Sequence, residues 1–571
     1  EHDPVTATAP LPQMDLTTLR AVLWHLRGQI VPSRFEKAQQ PDPGTIQLGL
    51  RSLRGMVWIE LSWQAEAPRL VQIQAPPRVG SGSTFAQQLQ HSLRQLALVE
   101  LNQAGFERVV EFRLASRPGE PVQRTLVLEL MGRHSNLLLL DEQRRVIALG
   151  RQVRDHQSRI RPISTGDLYT PPPPLQGLAP DRSEPFQRWQ SRLSLVPVKL
   201  RKALQQAYQG ISPALAEQLA GAWLQAPVDQ LSSDQWQTLH ARWCRWLEQL
   251  HNEQFSWIDH GNGRYRVWTD SPDSAPGAGL AMQLGALHQQ QLEQRALARM
   301  NDELAQRLGR WRNKEQAALE DQCSRLNDTD HHDQIQRQAD DLLCLQQPSR
   351  EQIDQAQKLY RKAKKLRRAR PILEERIKHH QQRLELINGS ETFINDLLGA
   401  RWQPCSSRLS ALRGLLDELE DILQPHERGR PKRQQQRQSQ PQPLELSTPG
   451  ELKVQVGRNH RQNDWISLRQ ARNGDLWFHA QECPGSHVVL KSSNGLADEA
   501  DLELATDLAA YFSRARGNSI VPVVMVPIEQ LQRIPGAGPG TVRHGRAEIR
   551  WGDPQRAERH LLAPSLGTES G

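Results

Sequence analysis

The sequence has no long apolar run, few cysteines and no signal-like start. No stretch approaches the roughly 18 to 20 consecutive apolar residues that a membrane helix requires, and the N-terminus lacks the basic and then apolar layout of a secretion signal. The five cysteines are far apart, odd in number and form no CxxC motif, which argues against a disulfide framework or a four-cysteine zinc site. We therefore expect a cytoplasmic protein with reduced thiols.

Lysine is also scarce, although the chain is basic. Of the 72 basic residues 60 are arginine and 12 are lysine, and the formal charge is +8. The planar guanidinium group binds phosphate bidentately and stacks on bases, so this choice favours RNA or DNA as a partner. A GC-rich genome would also replace lysine by arginine, and composition leaves both explanations open. At 571 residues the chain exceeds one core, which predicts three or four structural units.

The N-terminal part of the chain has the pattern of a leader followed by an α+β domain. Residues 1–13 are polar and rich in proline, and we expect a disordered leader there. Over 14–180 we predict an α+β domain, with a helix at 15–27 and then strand-like segments bounded by Gly, Pro or charged turns. The proline run at 170–180 predicts a linker at its end.

Residues 181–280 have the pattern of short helices and predict a separate helical domain. Gly210 is followed by Ser212 as a candidate N-cap and by Pro213 as the first helical residue. This arrangement resembles a helix-hairpin-helix turn, whose backbone N–H groups can hold a phosphate. An ordinary capped helix has the same signature, and both interpretations stay open.

Residues 281–425 predict a long antiparallel coiled-coil hairpin. Apolar residues recur at steps of three and four on both sides of the polar segment LNDTDHHDQ, 326–334, which we expect to form the tip between two arms. Residues 426–448 are rich in Gln, Pro and Arg and predict a flexible basic linker. A compact α/β domain over 449–555 and a disordered tail over 556–571 complete this multidomain α+β architecture.

The densest charge lies in KLYRKAKKLRRAR, residues 358–370, which holds eight basic residues and no acid. On a helix, Leu359, Ala363 and Leu366 would occupy the buried seam. An exposed face of one sign repels itself unless a polyanion is present, so nucleic acid is favoured over the alternative of a plain solvated face. The candidate nucleic-acid-binding residues are Lys358, Arg361, Lys362, Lys364, Lys365, Arg367 and Arg368.

Polar residues also interrupt strand-like runs in the N-terminal domain. The segments GFERVVEF, 105–112, and LELMGRHSNLLLLD, 128–141, place arginine, histidine, serine and asparagine at predicted strand ends. These groups can donate to phosphate, ribose or carbonyl oxygens. No carboxylate pair or nucleophile–base pair accompanies them, so we predict no catalytic residue.

The C-terminal segment RNGDLWFHAQECPGSHVVLK, 472–491, predicts a strand, a loop and a second strand. Its aspartate, histidines and cysteine have the composition of a zinc site, but a fourth ligand and an outer carboxylate are not evident, and we predict no metal there. A preceding short helix could be capped by Asp464, while Trp477 and Val489 should pack inward. The loop GAGPGTVRHG, 536–545, lacks the Lys-Ser/Thr pair of a nucleotide P-loop. No cofactor is predicted.

Eight motifs follow one another in an order that resembles the NFACT family, the bacterial RqcH-like ribosome-quality-control factors that are also described as fibronectin-binding-like. They are MGRHSN, GISPALAEQL, YRKAKKLRRA, GRNHRQND, DLWFHA, PGSHVVL, AAYFSRARGNSIVPV and PGTV, and the resemblance spans about residues 14–552. It implies an N-terminal domain of DNA-glycosylase-like fold and a C-terminal RNA-binding domain. In the N-terminal domain it implies tRNA contacts by Glu107, Arg108, Glu129, Arg133, His134, Ser135 and Asn136. In the C-terminal domain the candidate RNA contacts are Arg458, Asn459, Arg461, Asn463, Asp464, Asp475, His479, Ser486 and His487.

The resemblance also implies a function on stalled ribosomes. The protein would bind large subunits obstructed by peptidyl-tRNA, recruit alanyl-tRNA and promote untemplated C-terminal alanine addition that marks the chain for degradation. The ribosome would do the peptide-bond chemistry, and a small RNA-binding RqcP-like protein would be a partner; no membrane is involved. The family carries Asp-Arg where this chain has Glu107-Arg108, which keeps the charge but moves the carboxylate outward.

Two other functions stay open from the sequence. A nucleic-acid-processing enzyme of glycosylase type fits the helix-hairpin-helix-like turn, although the chain has MDLTT, 14–18, in place of a terminal proline nucleophile and lacks a zinc finger. A surface adhesin that binds fibronectin is suggested by the family's older name, and the absence of a signal sequence counts against it.

Overall fold

The computed structural model describes residues 14–79, 83–153, 161–270, 279–424 and 441–563. The predicted leader lies outside this part of the chain, as do residues 426–440 of the predicted linker and 564–571 of the predicted tail. The chain divides into two compact units after Leu292. Among the described residues, none of the helices combines the length and apolar character that crossing a bilayer demands.

The first unit contains a large sheet and a set of short helices. Its helices are α1 (Leu16–Ile30), α2 (Thr84–Ser92), α3 (Phe186–Leu193), α4 (Leu200–Ala207), α5 (Pro213–Ala220) and α6 (Ser233–Asn252). Its strands are β1 (Ser33–Asp42), β2 (Thr45–Ser52), β3 (Gly55–Ser62), β4 (Arg69–Ile73), β5 (Ala97–Asn102), β6 (Val109–Ala115), β7 (Arg124–Glu129), β8 (Asn136–Leu140), β9 (Val146–Leu149), β10 (Ile258–Gly261) and β11 (Arg264–Arg266).

Strands β1 to β9 form one antiparallel sheet with the order β4-β3-β2-β1-β5-β6-β7-β8-β9. The predicted first helix and the predicted strands are confirmed. Strand β8 has no polar alternation because both of its faces are covered: Leu137 and Leu139 join the main core, whereas Leu138 and Leu140 pack into a second apolar cluster. Strands β7 and β8, which lie next to the edge strand β9, are therefore buried on both faces of the sheet.

The helices that follow the proline run pack into the same core as the sheet. Trp189 of α3 and Trp246 of α6 are completely buried in the cluster that also contains the α1 side chains. The Trp246 indole N–H donates to Thr17 Oγ1 at 3.0 Å. Residues 14–180 and 181–280 were predicted as separate domains, and the structure gives them one continuous hydrophobic core.

The predicted cap of α5 is confirmed. Ser212 Oγ accepts from Leu215 N at 2.9 Å and Pro213 is the first helical residue. Gly210 has φ of +76°, and a side chain there would meet the Phe106 ring at 2.8 Å, so the turn needs glycine. The Ser212 hydroxyl also donates to Asp15, the N-cap of α1, at 2.6 Å, which joins the starts of the two helices.

The helix α7 (Leu280–Thr329) leads into the second unit, where α8 (His332–Leu343), α9 (Arg350–Gly399) and α10 (Cys405–Leu423) follow. Within this unit α7 runs antiparallel to α9, because Arg312 pairs with Glu391 at 2.6 Å and Asp330 pairs with Arg370 at 2.6 Å. An apolar cluster joins α7, α9 and α10 at the base. The helical hairpin agrees with the two arms predicted from the sequence.

The position of the hairpin tip was predicted wrongly. The segment 326–334 is helical at both ends rather than a loop, and α8 continues the first arm along α9, where Asp340 accepts from the Tyr360 hydroxyl. The chain reverses instead between Leu343 and Arg350. The polar segment stays in the arm because its carboxylates pair with the basic side chains of α9, as Asp330 does with Arg370.

A second sheet domain ends the described chain. Its strands are β12 (Leu444–Ser447), β13 (Lys453–Val456), β14 (Leu476–Ala480), β15 (Val488–Leu490), β16 (Val521–Pro527), β17 (Leu531–Arg533), β18 (Val542–His544) and β19 (Glu548–Gly552), and its helices are α11 (His460–Asp464), α12 (Glu499–Tyr511) and α13 (Pro554–Leu562). Six strands form an antiparallel sheet in the order β12-β13-β15-β14-β16-β19. Strand β12 and helix α13 extend the fold beyond both predicted boundaries, 449 and 555. Helix α13 is held by Ala557, which is fully buried, and by Arg556, which pairs with Asp507.

Candidate nucleic-acid interface

The two polar segments predicted in the N-terminal domain meet at one edge of the large sheet. Arg108 immediately precedes β6, and its carbonyl oxygen accepts from Leu130 N at 2.9 Å just after β7. The start of β8 lies beside them, since Asn136 pairs with Glu129 in the sheet register. The sheet topology thus brings residues 107–108 and 129–136 together.

Glu107 and Arg108 are half-buried at this edge and already have protein partners. Arg108 Nη1 donates to Met14 O at 3.2 Å, and Glu107 Oε1 accepts from Leu175 N at 3.1 Å. Burial lowers the pKa of the Arg108 guanidinium, and the carboxylates of Asp15 and Glu107 act in the opposite direction. The pair offers opposite charges side by side, and both side chains keep part of their surface in contact with solvent.

Arg133 and His134 are the exposed members of the edge. They lie on a single turn of 3-10 helix, Gly132–His134, and Arg133 Nε donates to His134 Nε2 at 3.1 Å. Arg151 holds this turn from below by donating to the Arg133 carbonyl oxygen at 2.6 Å. A phosphate or ribose approaching the edge would meet these two side chains first.

The other three predicted tRNA contacts of this edge are buried supports. Glu129 is 1% exposed and its carboxylate accepts from Arg161 Nη1 at 2.9 Å and from the Tyr169 hydroxyl at 2.9 Å. Ser135 Oγ donates to the Gly132 carbonyl at 2.7 Å, and Asn136 Nδ2 donates to the Arg151 carbonyl at 2.7 Å. Glu129, Ser135 and Asn136 are thus already hydrogen-bonded inside the protein, and their direct contact with tRNA stays a prediction.

The basic segment of α9 has the predicted orientation. Ala363 is buried, Leu359 and Leu366 are partly buried, and all seven predicted basic residues are exposed. One of these basic residues has partners on the other arm, because Arg367 Nη2 donates to Gln336 at 2.8 Å and lies 3.7 Å from an Asp333 carboxylate oxygen. The antiparallel path of α8 creates these pairs, which no local pattern around α9 could reveal.

Several of the C-terminal candidates serve the interior of that domain. Arg458 is 5% exposed with its guanidinium 4.9 Å from the centre of the Phe512 ring, and burial lowers its pKa to about 10. Asn459 caps α11 by accepting from Gln462 N, and Asn463 Oδ1 accepts from His487 N at 3.0 Å. Neither Arg458 nor Asn463 presents its side chain to solvent, and RNA contact by these two residues stays a prediction.

The start of α11 is also held by a buried carboxylate of α10. Glu418 accepts from Arg461 N at 2.5 Å and from His460 N at 3.3 Å, and burial raises the Glu418 pKa to about 7. The Arg461 side chain itself is exposed and pairs with Asp421 at 2.9 Å. Arg461 remains available to a ligand at the surface.

Asp464 does not cap a helix, contrary to the sequence expectation. It lies at the end of α11 and accepts from Arg533 Nη2 at 2.7 Å, which ties the β17 strand to the helix. Asp475 is completely buried and pairs with Lys491 at 3.1 Å. Burial alone would raise the pKa of Asp475. Hydrogen bonds from Ser493, Arg472 and Lys491 outweigh burial and hold this pKa below its usual value. Both carboxylates thus have basic partners within the domain, and their contact with RNA stays a prediction.

His479, near the end of β14, and His487, just before β15, form a cluster of rings with Trp477. The His479 ring stacks on the Trp477 ring at 5.5 Å and 10°, and the His487 ring meets Trp477 edge-on at 5.1 Å. His487 is buried with Nδ1 2.8 Å from Ser467 Oγ, and burial lowers the pKa of both histidines. The prediction that Trp477 and Val489 pack inward is confirmed. Ser486 is buried too, which leaves His479 as the partly exposed member.

Across the part of the chain that the structure describes, no group of three or more His, Cys, Asp and Glu side chains is placed to hold a metal ion. The side chains of residues 475–487 that have the composition of a zinc site lie in different surroundings. Asp475 faces Lys491, His487 faces Ser467, and Cys483 packs against the core on the helix side of the sheet. The spacing alone could not distinguish these environments.

Sequence reasoning missed one exposed aromatic side chain in the last strand. Trp551 of β19 is 65% exposed and Ile549, two residues earlier, is 42% exposed. The alternation in EIRWG places both on one face and Arg550 on the other, a period-two signal that is visible in the sequence. What the sequence could not show is that this face of β19 is left uncovered.

Comparison with known proteins gives a consistent result over both units. The family model described as NFACT N-terminal and middle domains matches residues 15–353, and the one described as NFACT protein RNA binding domain matches residues 446–550. The chain is 27% identical over 555 residues to the Rqc2 homolog RqcH of Streptococcus suis, covering 91% of this chain and 94% of that protein. It is 24% identical over 556 residues to the Rqc2 homolog RqcH of Bacillus subtilis, covering 91% and 94%.

Two solved structures of the fibronectin/fibrinogen-binding protein from Streptococcus suis each match one part of the chain. Its N-terminal structure is 26% identical, with 48% of this chain and 96% of that one covered and a TM-score of 0.37. Its C-terminal structure is 25% identical, with 46% and 98% covered and a TM-score of 0.36.

Proposed function

The chain belongs to the NFACT family, and from this premise we propose that it is a cytoplasmic, RNA-binding ribosome-quality-control factor. It binds large ribosomal subunits that are obstructed by peptidyl-tRNA, through rRNA and tRNA. The observation that carries the proposal is the exposed basic face of α9, defined by the seven residues between Lys358 and Arg368 and placed near the tip of a long helical hairpin. Such a face suits a phosphate backbone, and the hairpin lets it reach a partner away from the C-terminal sheet domain of the same unit.

A finer proposal concerns the tRNA. The edge formed by Glu107, Arg108, Arg133 and His134 presents two guanidinium groups, an imidazole and a carboxylate at one place on the large sheet, which suits ribose and phosphate groups of an RNA strand. We propose that it recruits alanyl-tRNA and that untemplated C-terminal alanine addition follows, with the ribosome performing the chemistry. A small RNA-binding RqcP-like protein is the proposed partner.

The proposed domain roles follow the same order along the chain. Residues 14–180 would form a DNA-glycosylase-like tRNA-binding domain, 181–280 a helix-hairpin-helix-like domain, 281–425 the coiled coil and 449–555 the RNA-binding domain, joined by the basic linker 426–448. The capped turn at Ser212 supports the helix-hairpin-helix-like role only by marking the start of α5. The Ser212 Oγ is already used there, because it accepts from Leu215 N. The other two open functions, a glycosylase-type enzyme and an adhesin, gain no specific support.

The test begins in cells with induced ribosome stalling. The tagged full-length protein should recover large subunits together with tRNA, and sequencing of that tRNA should return alanine isoacceptors. Mass spectrometry of the stalled nascent chains should find C-terminal alanine only when the protein is present. Recovery of neither ribosomal RNA nor tRNA would refute the proposal, whereas ribosome recovery without alanine tails would refute its finer part alone.

Two variants test whether tRNA binds at the proposed edge. Arg108→Ala should reduce recovered tRNA about tenfold, because a charge-assisted contact is worth roughly 1.5 to 3 kcal/mol. Arg117→Ala is the matched control, since Arg117 is an exposed arginine of the same domain that follows β6 instead of preceding it. Equal tRNA yields from both variants would remove this edge from the proposal.

A further inference from the structure

The exposed face of the last strand has an unused aromatic side chain. In the register of β16 and β19, Val524 lies opposite Ile549 and Pro522 lies opposite Trp551. Val524 packs in the cluster around Trp477, on the face of the sheet opposite to α12, so Ile549 and Trp551 belong to that same face. Both large side chains remain exposed, at 42% and 65%.

The face continues toward the ring cluster already described. His479 of β14 lies opposite Val524, so His479, Val524 and Ile549 form one row across three strands. His479 stacks on Trp477 and is partly exposed, which gives this row an aromatic end. Trp551 stands one row further on, on the edge strand, where its ring can be reached from the face and from the side.

The charges beside this face are positive. The connection between β18 and β19 crosses the face, because the His544 ring lies 6.1 Å from the Trp477 ring and Ala547 packs in the same cluster. Arg543 and Arg546 are exposed on either side of His544. Glu548 points to the opposite face, where it lies in register with Met525 of the helix-side core. A negatively charged ligand is therefore favoured over a positively charged one.

We propose that Trp551 is a stacking platform for an unpaired RNA base, with Ile549 and His479 bordering it and Arg543 and Arg546 meeting the flanking phosphates. Flat aromatic rings on an open sheet face, next to arginines, are the arrangement by which single-stranded RNA is held, because every base has a π-face. The site lies at the end of the RNA-binding domain, one residue beyond the matched segment 446–550. The inference rests on the proposed function and adds unpaired RNA as the ligand of this surface.

The test uses the full-length protein with a fluorescein-labelled 12-nucleotide unpaired RNA and a blunt duplex of the same sequence, measured by fluorescence anisotropy at one salt concentration. Trp551→Ala should weaken binding of the single strand about tenfold, which corresponds to about 1.4 kcal/mol, and should change duplex binding less than twofold. Trp551→Phe should retain single-strand binding within about threefold. Leu496→Ala is the matched control, a fully exposed apolar side chain elsewhere in the domain.

Each other outcome decides against the proposal. Unchanged single-strand binding by Trp551→Ala would leave the face to a protein partner, and equal losses for single strand and duplex would reduce Trp551 to a structural residue. If Trp551→Ala fails to fold, ultraviolet cross-linking of the wild type to 4-thiouridine RNA replaces it, and adducts that avoid the Trp551 peptide overturn the idea. A wild type that recovers large subunits but does not bind the short strand refutes this inference alone, whereas loss of both refutes the proposed function as well.

Discussion

Reversal of three charges on α9 tests the basic face without disturbing the hairpin. Lys362, Lys365 and Arg368 are exposed, and in the described part of the chain they form no hydrogen bond or ion pair with another side chain. Arg367 and Arg370 are left unchanged because they pair with Asp333 and Asp330 and hold the two arms together. The triple variant K362E/K365E/R368E should therefore keep its helical content and thermal stability.

The expected loss of affinity follows from the number of contacts. Each charged contact with RNA is worth about 1 kcal/mol or more, so three reversals should cost about 3 kcal/mol, roughly a hundredfold or more in affinity for large subunits. If about six cations of the wild type meet phosphates, the log–log salt slope is roughly −4 to −5, and removing three contacts should bring it to about −2.

Co-sedimentation with obstructed large subunits over a series of KCl concentrations measures both quantities. The matched control is R310E/K314E/R413E, which reverses three exposed cations of the same helical region outside the basic segment and should bind within about threefold of the wild type. Circular dichroism checks that both variants fold. An unchanged affinity and salt slope for the first variant, or equal losses in both, would assign the face to solvent and refute the reasoning.

Three further predictions concern buried groups. Glu129→Ala should lower the free energy of unfolding by about 3 to 5 kcal/mol, because it leaves the Arg161 guanidinium without its buried carboxylate; a fall in thermal midpoint of less than 1 °C would contradict this. Burial raises the Glu418 pKa from 4.5 to about 7, so its contribution to stability is fully present below about pH 4.5 and lost as the pH rises through 7. Relative to Glu418→Gln, the wild type should thus lose about 2 to 3 kcal/mol over that range in urea titrations, and parallel curves would exclude the shifted group. Chelation with EDTA should leave the melting temperature unchanged within about 1 °C, since the Asp475 carboxylate is already occupied by Lys491; a clear drop would reveal a metal.

Local patterns in the sequence anticipated the features that depend on near neighbours. The strands of the large sheet follow from their β-branched and leucine-rich runs, and the start of α5 follows from Ser212 and Pro213. The orientation of the basic helix follows from the period of Leu359, Ala363 and Leu366. These forecasts succeed because capping and side-chain periodicity are set within a few residues.

The features that local patterns did not anticipate depend on what lies across from a residue. Glu129 and Arg133 lie four positions apart in one polar segment, yet Glu129 is buried and paired with Arg161, whereas Arg133 is exposed. The hairpin tip was misplaced because the polarity of 326–334 indicated a loop, whereas its carboxylates are used by cations of the opposite arm. Partners that are distant in the chain decide these cases.

The sequence by itself determined the family, the order of the folded parts and the basic character of α9, since motif order and composition are properties of the chain. Only the tertiary structure decided which polar residues are presented and which are supports. It shows that Arg133 and His134 are exposed whereas Glu129 is buried, and that Trp551 is exposed on the open face of the last strand. The physical reason is that burial and pairing are set by contacts between strands and helices that are far apart in the sequence.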